Sequence, residues 1–121
     1  MGRILIAEDD DQLREMLAQM LEQEEYEVVG SDNGEDAIRI LRQSPFDLLI
    51  TDIIMPQKDG TRLIMEIRKE FPNLQIIAIS GGARHIDPQN PLLIAKKLGA
   101  NLTFTKPFKL YDLLGAVREL V

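Results

Sequence analysis

Two hydrophobic periods alternate along the chain. "RILIA" (Arg3 to Ala7), "LLIT" (Leu48 to Thr51) and "IIAIS" (Ile76 to Ser80) are nearly continuous apolar runs rich in β-branched residues. Such runs have no polar face to turn to water, so they fit strands covered on both sides, as in a parallel sheet. "YEVVG" (Tyr26 to Gly30) and "LTFT" (Leu102 to Thr105) carry a weaker form of the same pattern. Between the runs the spacing becomes that of a helix with one apolar stripe. Leu13, Met16, Leu17, Met20 and Leu21 form the first stripe. Ala37, Ile38 and Leu41 form a shorter one, with Asn33-Gly34 before it and Ser44-Pro45 closing it. Leu63, Ile64 and Ile67 form the third, and Leu110, Leu113, Leu114, Val117 and Leu120 the last. A short helix is also expected over Leu92 to Leu98, ended by Gly99. On this pattern Met16, Met20 and Met65 are core residues.

Strand followed by helix, five times over, predicts an α/β fold with a parallel sheet and helices on both faces. The flavodoxin-like (βα)5 arrangement, with strand order 2-1-3-4-5, is the expected form. The longest irregular piece is Gly81 to Pro91, a loop after the fourth strand.

In open α/β sheets, sites form beyond the carboxyl ends of the strands, where strand order reverses. Here the first strand runs into Glu8 and Asp9, the third ends at Asp52, the fourth at Ser80 and the fifth at Lys106-Pro107. The expected switch point lies between the first and third strands, which sets Glu8, Asp9 and Asp52 side by side. Carboxylates that close repel one another unless a cation separates them. Their oxygens make a hard site suited to Mg²⁺, or to Mn²⁺ in its place. Lys106 would offset part of the charge. Asp10 and Asp11 fit the start of the following helix, where negative charge meets the helix dipole favourably. A carboxylate beside such a cation and a lysine can attack phosphorus and form an acyl phosphate. Asp52 is the candidate nucleophile, Lys106 and the Ser80 hydroxyl are candidate phosphoryl ligands, and the small Gly81 leaves room for a donor.

Composition narrows the setting. The 121 residues fit one domain spanning 1–121, and with 45% hydrophobic and 28% charged residues the chain reads as an ordinary globular protein. There is no cysteine, which excludes disulfides and thiolate zinc sites. Apolar runs stay well short of the roughly 20 residues of a membrane span, and the N-terminus lacks a signal-peptide layout, so a cytoplasmic location is expected. The net charge of −6 argues against direct binding of nucleic acid.

The stretches "ILIAEDD", "DLLITDIIMPQKDG", "IIAISGG" and "FTKPF", in this order and spacing, resemble the receiver domains of response regulators. The resemblance covers the whole chain. It implies that Asp52 accepts a phosphoryl group from a histidine kinase or a histidine phosphotransfer protein. Asp9 is then the direct Mg²⁺ ligand, Glu8 acts through water, and Ile54 offers its backbone carbonyl. Ser80 supplies the switching hydroxyl, and Lys106 precedes Pro107, a peptide bond usually cis in relatives. Output is expected through the face built by the Leu92 to Leu98 helix, the Leu102 to Thr105 strand and the helix from Leu110. Such a protein is no enzyme in the sense of substrate turnover; it modifies only itself. Thr103 stands where relatives usually carry a switching Tyr or Phe. The segment after Ser80 is longer than in compact relatives, and the acids that precede the last strand in dimerising DNA-binding relatives are missing. Ile54 and Gly82 offer no polar group to orient a water, so slow autodephosphorylation is expected. A stand-alone receiver is the expected form. The alternatives are a receiver segment of a larger response regulator or hybrid kinase, or a small Mg²⁺-dependent phosphatase with an aspartyl nucleophile.

Overall fold

The computed structural model describes residues 2–53, 60–80, 96 and 99–121, with backbone only at 60 and 61. Along the chain come β1 (Arg3–Ala7), α1 (Asp11–Gln23), β2 (Glu27–Ser31), α2 (Gly34–Gln43), β3 (Leu48–Asp52), α3 (Gly60–Glu70), β4 (Gln75–Ser80), β5 (Leu102–Thr105) and α4 (Leu110–Leu120). All five strands are parallel, in the order β2-β1-β3-β4-β5. That is the expected flavodoxin-like order.

The continuous apolar runs are explained by a core on each side of the sheet. Side chains alternate faces along a strand. Leu5 and Ala7 of β1, Leu49 of β3, and Ile76 and Ala78 of β4 join Ala37, Ile38 and Leu41 of α2 and Leu63, Ile64 and Ile67 of α3. Ile4, Ile6, Leu48, Ile50, Ile77 and Ile79 join Leu17 and Leu21 of α1 and Leu113, Ala116 and Val117 of α4 on the opposite side. Each fully buried Leu or Ile contributes about 1.5–3 kcal/mol, so β1, β3 and β4 carry much of the stability.

Side-chain caps define two helix starts. Asp10 precedes α1, and its carboxylate accepts from the N–H groups of Gln12 and Leu13. Asn33 caps α2 by accepting from the Asp36 N–H at 2.8 Å. Ser44 ends that helix, as its sequence position predicts. Gly99, at φ 128°, donates its N–H to the Lys96 carbonyl, a backbone shape that favours glycine. Apart from Lys96, the expected Leu92 to Leu98 helix lies outside the described residues, as does the loop from Gly81 to Pro91.

Two expectations are corrected. β2 begins one residue later than "YEVVG" predicts, because the Tyr26 N–H is taken by the Leu21 carbonyl at the end of α1. Met16 and Met65 are not core: they are 48% and 40% exposed. Each residue turns an α-helix by about 100°. That places Met16 well round from the buried Leu17–Leu21 line, and Met65 opposite the Leu63–Ile67 line. Met20 is partly buried, as expected.

Candidate functional site

Parallel strands deliver their carboxyl ends to one edge of the sheet. Ala7 of β1 pairs with Thr51 of β3, and Ser80 of β4 pairs with Thr105 of β5. The next residues along β1, β3 and β5 are therefore Glu8, Asp52 and Lys106, and they converge at that edge. Pairing continues a step beyond the strands. The Glu8 N–H donates to the Ser31 carbonyl at 2.9 Å, the Ile53 N–H to the Ile79 carbonyl at 2.9 Å, and the Lys106 N–H to the Ser80 carbonyl at 2.7 Å. The Thr51 hydroxyl donates to the Asp52 carbonyl at 2.9 Å. The Lys106-Pro107 peptide is cis.

The side chains close on one ammonium. Lys106 Nζ donates to Asp52 Oδ2 at 2.8 Å and to Glu8 Oε1 at 3.0 Å. Glu8 and Asp52 are buried, at 2% and 5% exposure, whereas Asp9 is exposed at the mouth. Glu8 Oε2 also accepts from the Asp10 N–H at 3.2 Å. Burial pushes the Glu8 carboxyl up to about 7; the Asp10 N–H and Lys106 act against that rise, and the Asp52 charge adds to it. Burial alone would lower Lys106, but its bonds to Asp52 and Glu8 outweigh it and hold the ammonium above its ordinary value. One ammonium is thus shared between two buried acids.

Glu8, Asp9 and Asp52 each offer a carboxylate oxygen, all within 4.8 Å of one another. Among the described residues three acids gather around one ammonium, an oxygen donor set that suits a hard divalent cation. These residues therefore fit Mg²⁺. A separate groove lined by Phe46, Phe71, Leu74 and Val121 lies at the opposite end, where the strands begin, away from this chemistry.

The structure gathers Glu8, Asp9, Asp52 and Lys106 as the sequence predicts. Ser80 closes β4, buried, with its carbonyl on the Lys106 N–H. Thr103 pairs with Ala78, while Phe104 packs on the α1–α4 side against Phe108 with ring centroids 5.8 Å apart. Phe104 thus faces away from the side that Thr103 occupies, as strand alternation requires. Pro107 is exposed. Ile54, Gly81 and Gly82 lie outside the described residues. One neighbour of the site was not marked by the sequence. Arg14 of α1 donates to the Glu8 carbonyl at 2.7 Å and pairs with Asp11. Its only sequence signal is the three-residue spacing from Asp11, which reads as an ordinary helix-surface pair.

Comparison with known proteins agrees with this geometry. A family model described as the response regulator receiver domain matches residues 4–118. The response regulator receiver protein CpdR of Brucella abortus is 37% identical over 122 residues, covering 100% of this chain and 98% of that protein. The transcriptional regulatory protein CssR of Bacillus subtilis is 36% identical over 98% of this chain, which spans 50% of its length. Among solved structures, a receiver domain protein from Methanospirillum hungatei has a TM-score of 0.91 at 28% identity, covering 98% of this chain and 92% of the other. The response regulator TrrA of Thermotoga maritima, solved in complex with Mg(2+)-BeF, has a TM-score of 0.84 at 30% identity, each chain covered fully. With the family model spanning nearly the whole chain and the acids and lysine converging at the strand ends, the chain belongs to the response regulator receiver domain family.

Proposed function

We propose that this chain is a phospho-accepting switch that takes a phosphoryl group onto Asp52 from a histidine kinase or a histidine phosphotransfer protein. The observation that carries the reading is Lys106 Nζ held between the buried Asp52 and Glu8, with Asp9 beside them. Glu8, Asp9 and Asp52 would hold Mg²⁺, with the Ile54 carbonyl as a further ligand; Mn²⁺ suits the same donors. A bound divalent cation supplies charge neutralisation and polarises phosphoryl oxygens.

The chain's own residues account for the rest. An Asp52 carboxylate oxygen attacks the donor phosphorus. The P–N bond of the phosphohistidine breaks as the O–P bond forms, and the imidazole leaves neutral after taking up a proton. Lys106, whose N–H donates to the Ser80 carbonyl, lies where it can pair with a phosphoryl oxygen. Ser80 would offer its hydroxyl to the same group, and the small Gly81 beside it would admit the donor. Hydrolysis later returns the carboxylate and inorganic phosphate, so the chain modifies itself and turns over no separate substrate. With Thr103 in place of an aromatic, the readout would pass through the face of β5 and α4, where Tyr111 is 77% exposed, to an output protein rather than to nucleic acid. The CpdR coverage supports a single stand-alone domain over residues 1–121. The half-length match to CssR favours the second reading, a receiver segment within a longer regulator. Among the described residues no helix is long and apolar enough to cross a membrane.

The test is intact mass after incubation with Mg²⁺ and acetyl phosphate. One phosphoryl adduct is expected, absent in Asp52→Ala and absent in chelator. No adduct, under conditions that label a control receiver, would sink the reading.

A further inference from the structure

Glu8 is held by its main chain as well as by its carboxylate. Its N–H donates to the Ser31 carbonyl at the end of β2, and its carbonyl accepts from Arg14 Nη1 at 2.7 Å. The second arm of the guanidinium bonds the Asp11 carboxylate. The stem of Arg14 crosses Gly30 on the edge strand β2, where an added Cβ would lie 3.1 Å from Arg14 Cδ. Two elements thus make room for this side chain and give it targets. Arg14 is half-buried and reaches the backbone of the acidic pair rather than its carboxylates.

The carbonyl of Glu8 belongs to the peptide unit that joins Glu8 to Asp9. A peptide unit is planar, so fixing its oxygen fixes ψ of Glu8 and φ of Asp9. Those two angles set the relative direction in which the two acidic side chains leave the backbone. The geometry points to Arg14 as a positioning residue for the acidic pair, which orients the Glu8–Asp9 peptide and thereby sets the affinity of the cluster for Mg²⁺. This inference rests on reading Glu8, Asp9 and Asp52 as a Mg²⁺ site.

Charge and orientation predict opposite results. If Arg14 acted only as a nearby positive charge, its removal would tighten Mg²⁺ binding, because like charges repel. If it orients the acids, its removal loosens binding, by the tenfold or more typical of residues that hold metal ligands in place. Arg14→Lys keeps the charge but loses the fork that spans the Glu8 carbonyl and the Asp11 carboxylate. Gly30→Ala keeps the guanidinium and crowds its stem.

The experiment is calorimetric titration of MgCl2 into chelator-stripped protein, for wild type, Arg14→Ala, Arg14→Lys, Gly30→Ala and the Arg14→Ala/Gly30→Ala pair. Circular dichroism in EDTA checks folding. The Mg²⁺ Kd should rise about tenfold in Arg14→Ala and less in Arg14→Lys and Gly30→Ala. Gly30→Ala should add nothing once Arg14 is alanine. An unchanged or lower Kd in Arg14→Ala, with normal wild-type binding, overturns the role of Arg14 and leaves the Mg²⁺ site standing. Absence of Mg²⁺ binding in the wild type overturns both. Should Arg14→Ala fail to fold, Gly30→Ala decides, and an unchanged Kd there overturns the inference.

Discussion

Glu8 is buried at 2% exposure, next to a second buried acid, with one ammonium between them. In the metal-free protein this frustration has a pH signature. Unfolded, the Glu8 carboxyl titrates near 4.5; folded, burial raises it to about 7. Between those values the folded chain keeps a proton that the unfolded chain has released, so stability falls as pH rises and levels off above about 7. Glu8→Gln imitates the protonated form at every pH. Urea unfolding in chelator should therefore show wild type losing stability relative to Glu8→Gln as the pH rises from about 4.5 to about 7. Parallel pH profiles for the two proteins would refute this account of the site. The acids were legible in the sequence because a strand rarely runs into a row of carboxylates without a cation to receive them. Arg14 was not legible, since its hydrogen bond is to a backbone carbonyl and backbone targets leave no residue-type signature.

At the scale of elements, all five strands lie within one residue of the sequence expectation, and the edge strand β5 coincides with it. β1 and β4 are covered on both faces by two separate clusters, so their apolar runs are continuous and their positions fall within one residue of the sequence expectation. β2 is an edge strand, and a helix-end hydrogen bond rather than its own composition sets where it begins. Met16 sits at the margin of a stripe read from helical spacing, and Met65 lies opposite the Leu63–Ile67 line. The start of α2 depended on local chemistry that the sequence displays openly. Asn33 is the cap, its Oδ1 accepts from the Asp36 N–H, and Ser31 completes the turn by donating to the Asn33 carbonyl at 2.9 Å. Replacing that cap with alanine leaves one N–H of the first turn without its side-chain acceptor. Asn33→Ala should cost about 1 kcal/mol. A lower urea midpoint at unchanged m-value would show it, and an unchanged midpoint would mean that water replaces the cap without loss.

The whole molecule separates a stabilising core from a destabilised site at one edge of the sheet. Ile76 is fully buried near the start of β4, whereas Ser80 lies at the carboxyl end beside the site. With strand rise of about 3.3 Å per residue, those ends are more than 10 Å apart, far enough for their energies to add. Ile76→Val should destabilise the fold by about 0.5–1.5 kcal/mol through lost packing. A ligand that binds only the folded state stabilises it by about 2.7 kcal/mol at a hundredfold excess over Kd. Mg²⁺ at that excess should therefore raise the stability of wild type and Ile76→Val by the same increment. In Asp9→Ala, one of the three acids is lost, and the increment should collapse at the same Mg²⁺ concentration. Urea titrations of the three proteins, with and without Mg²⁺, distinguish the outcomes. A smaller increment in Ile76→Val would mean that core packing and the acidic edge are energetically coupled. Equal increments in wild type and Ile76→Val would instead mean that the sheet serves the site as a fixed frame, leaving the acids, Lys106 and their immediate supports to tune cation binding.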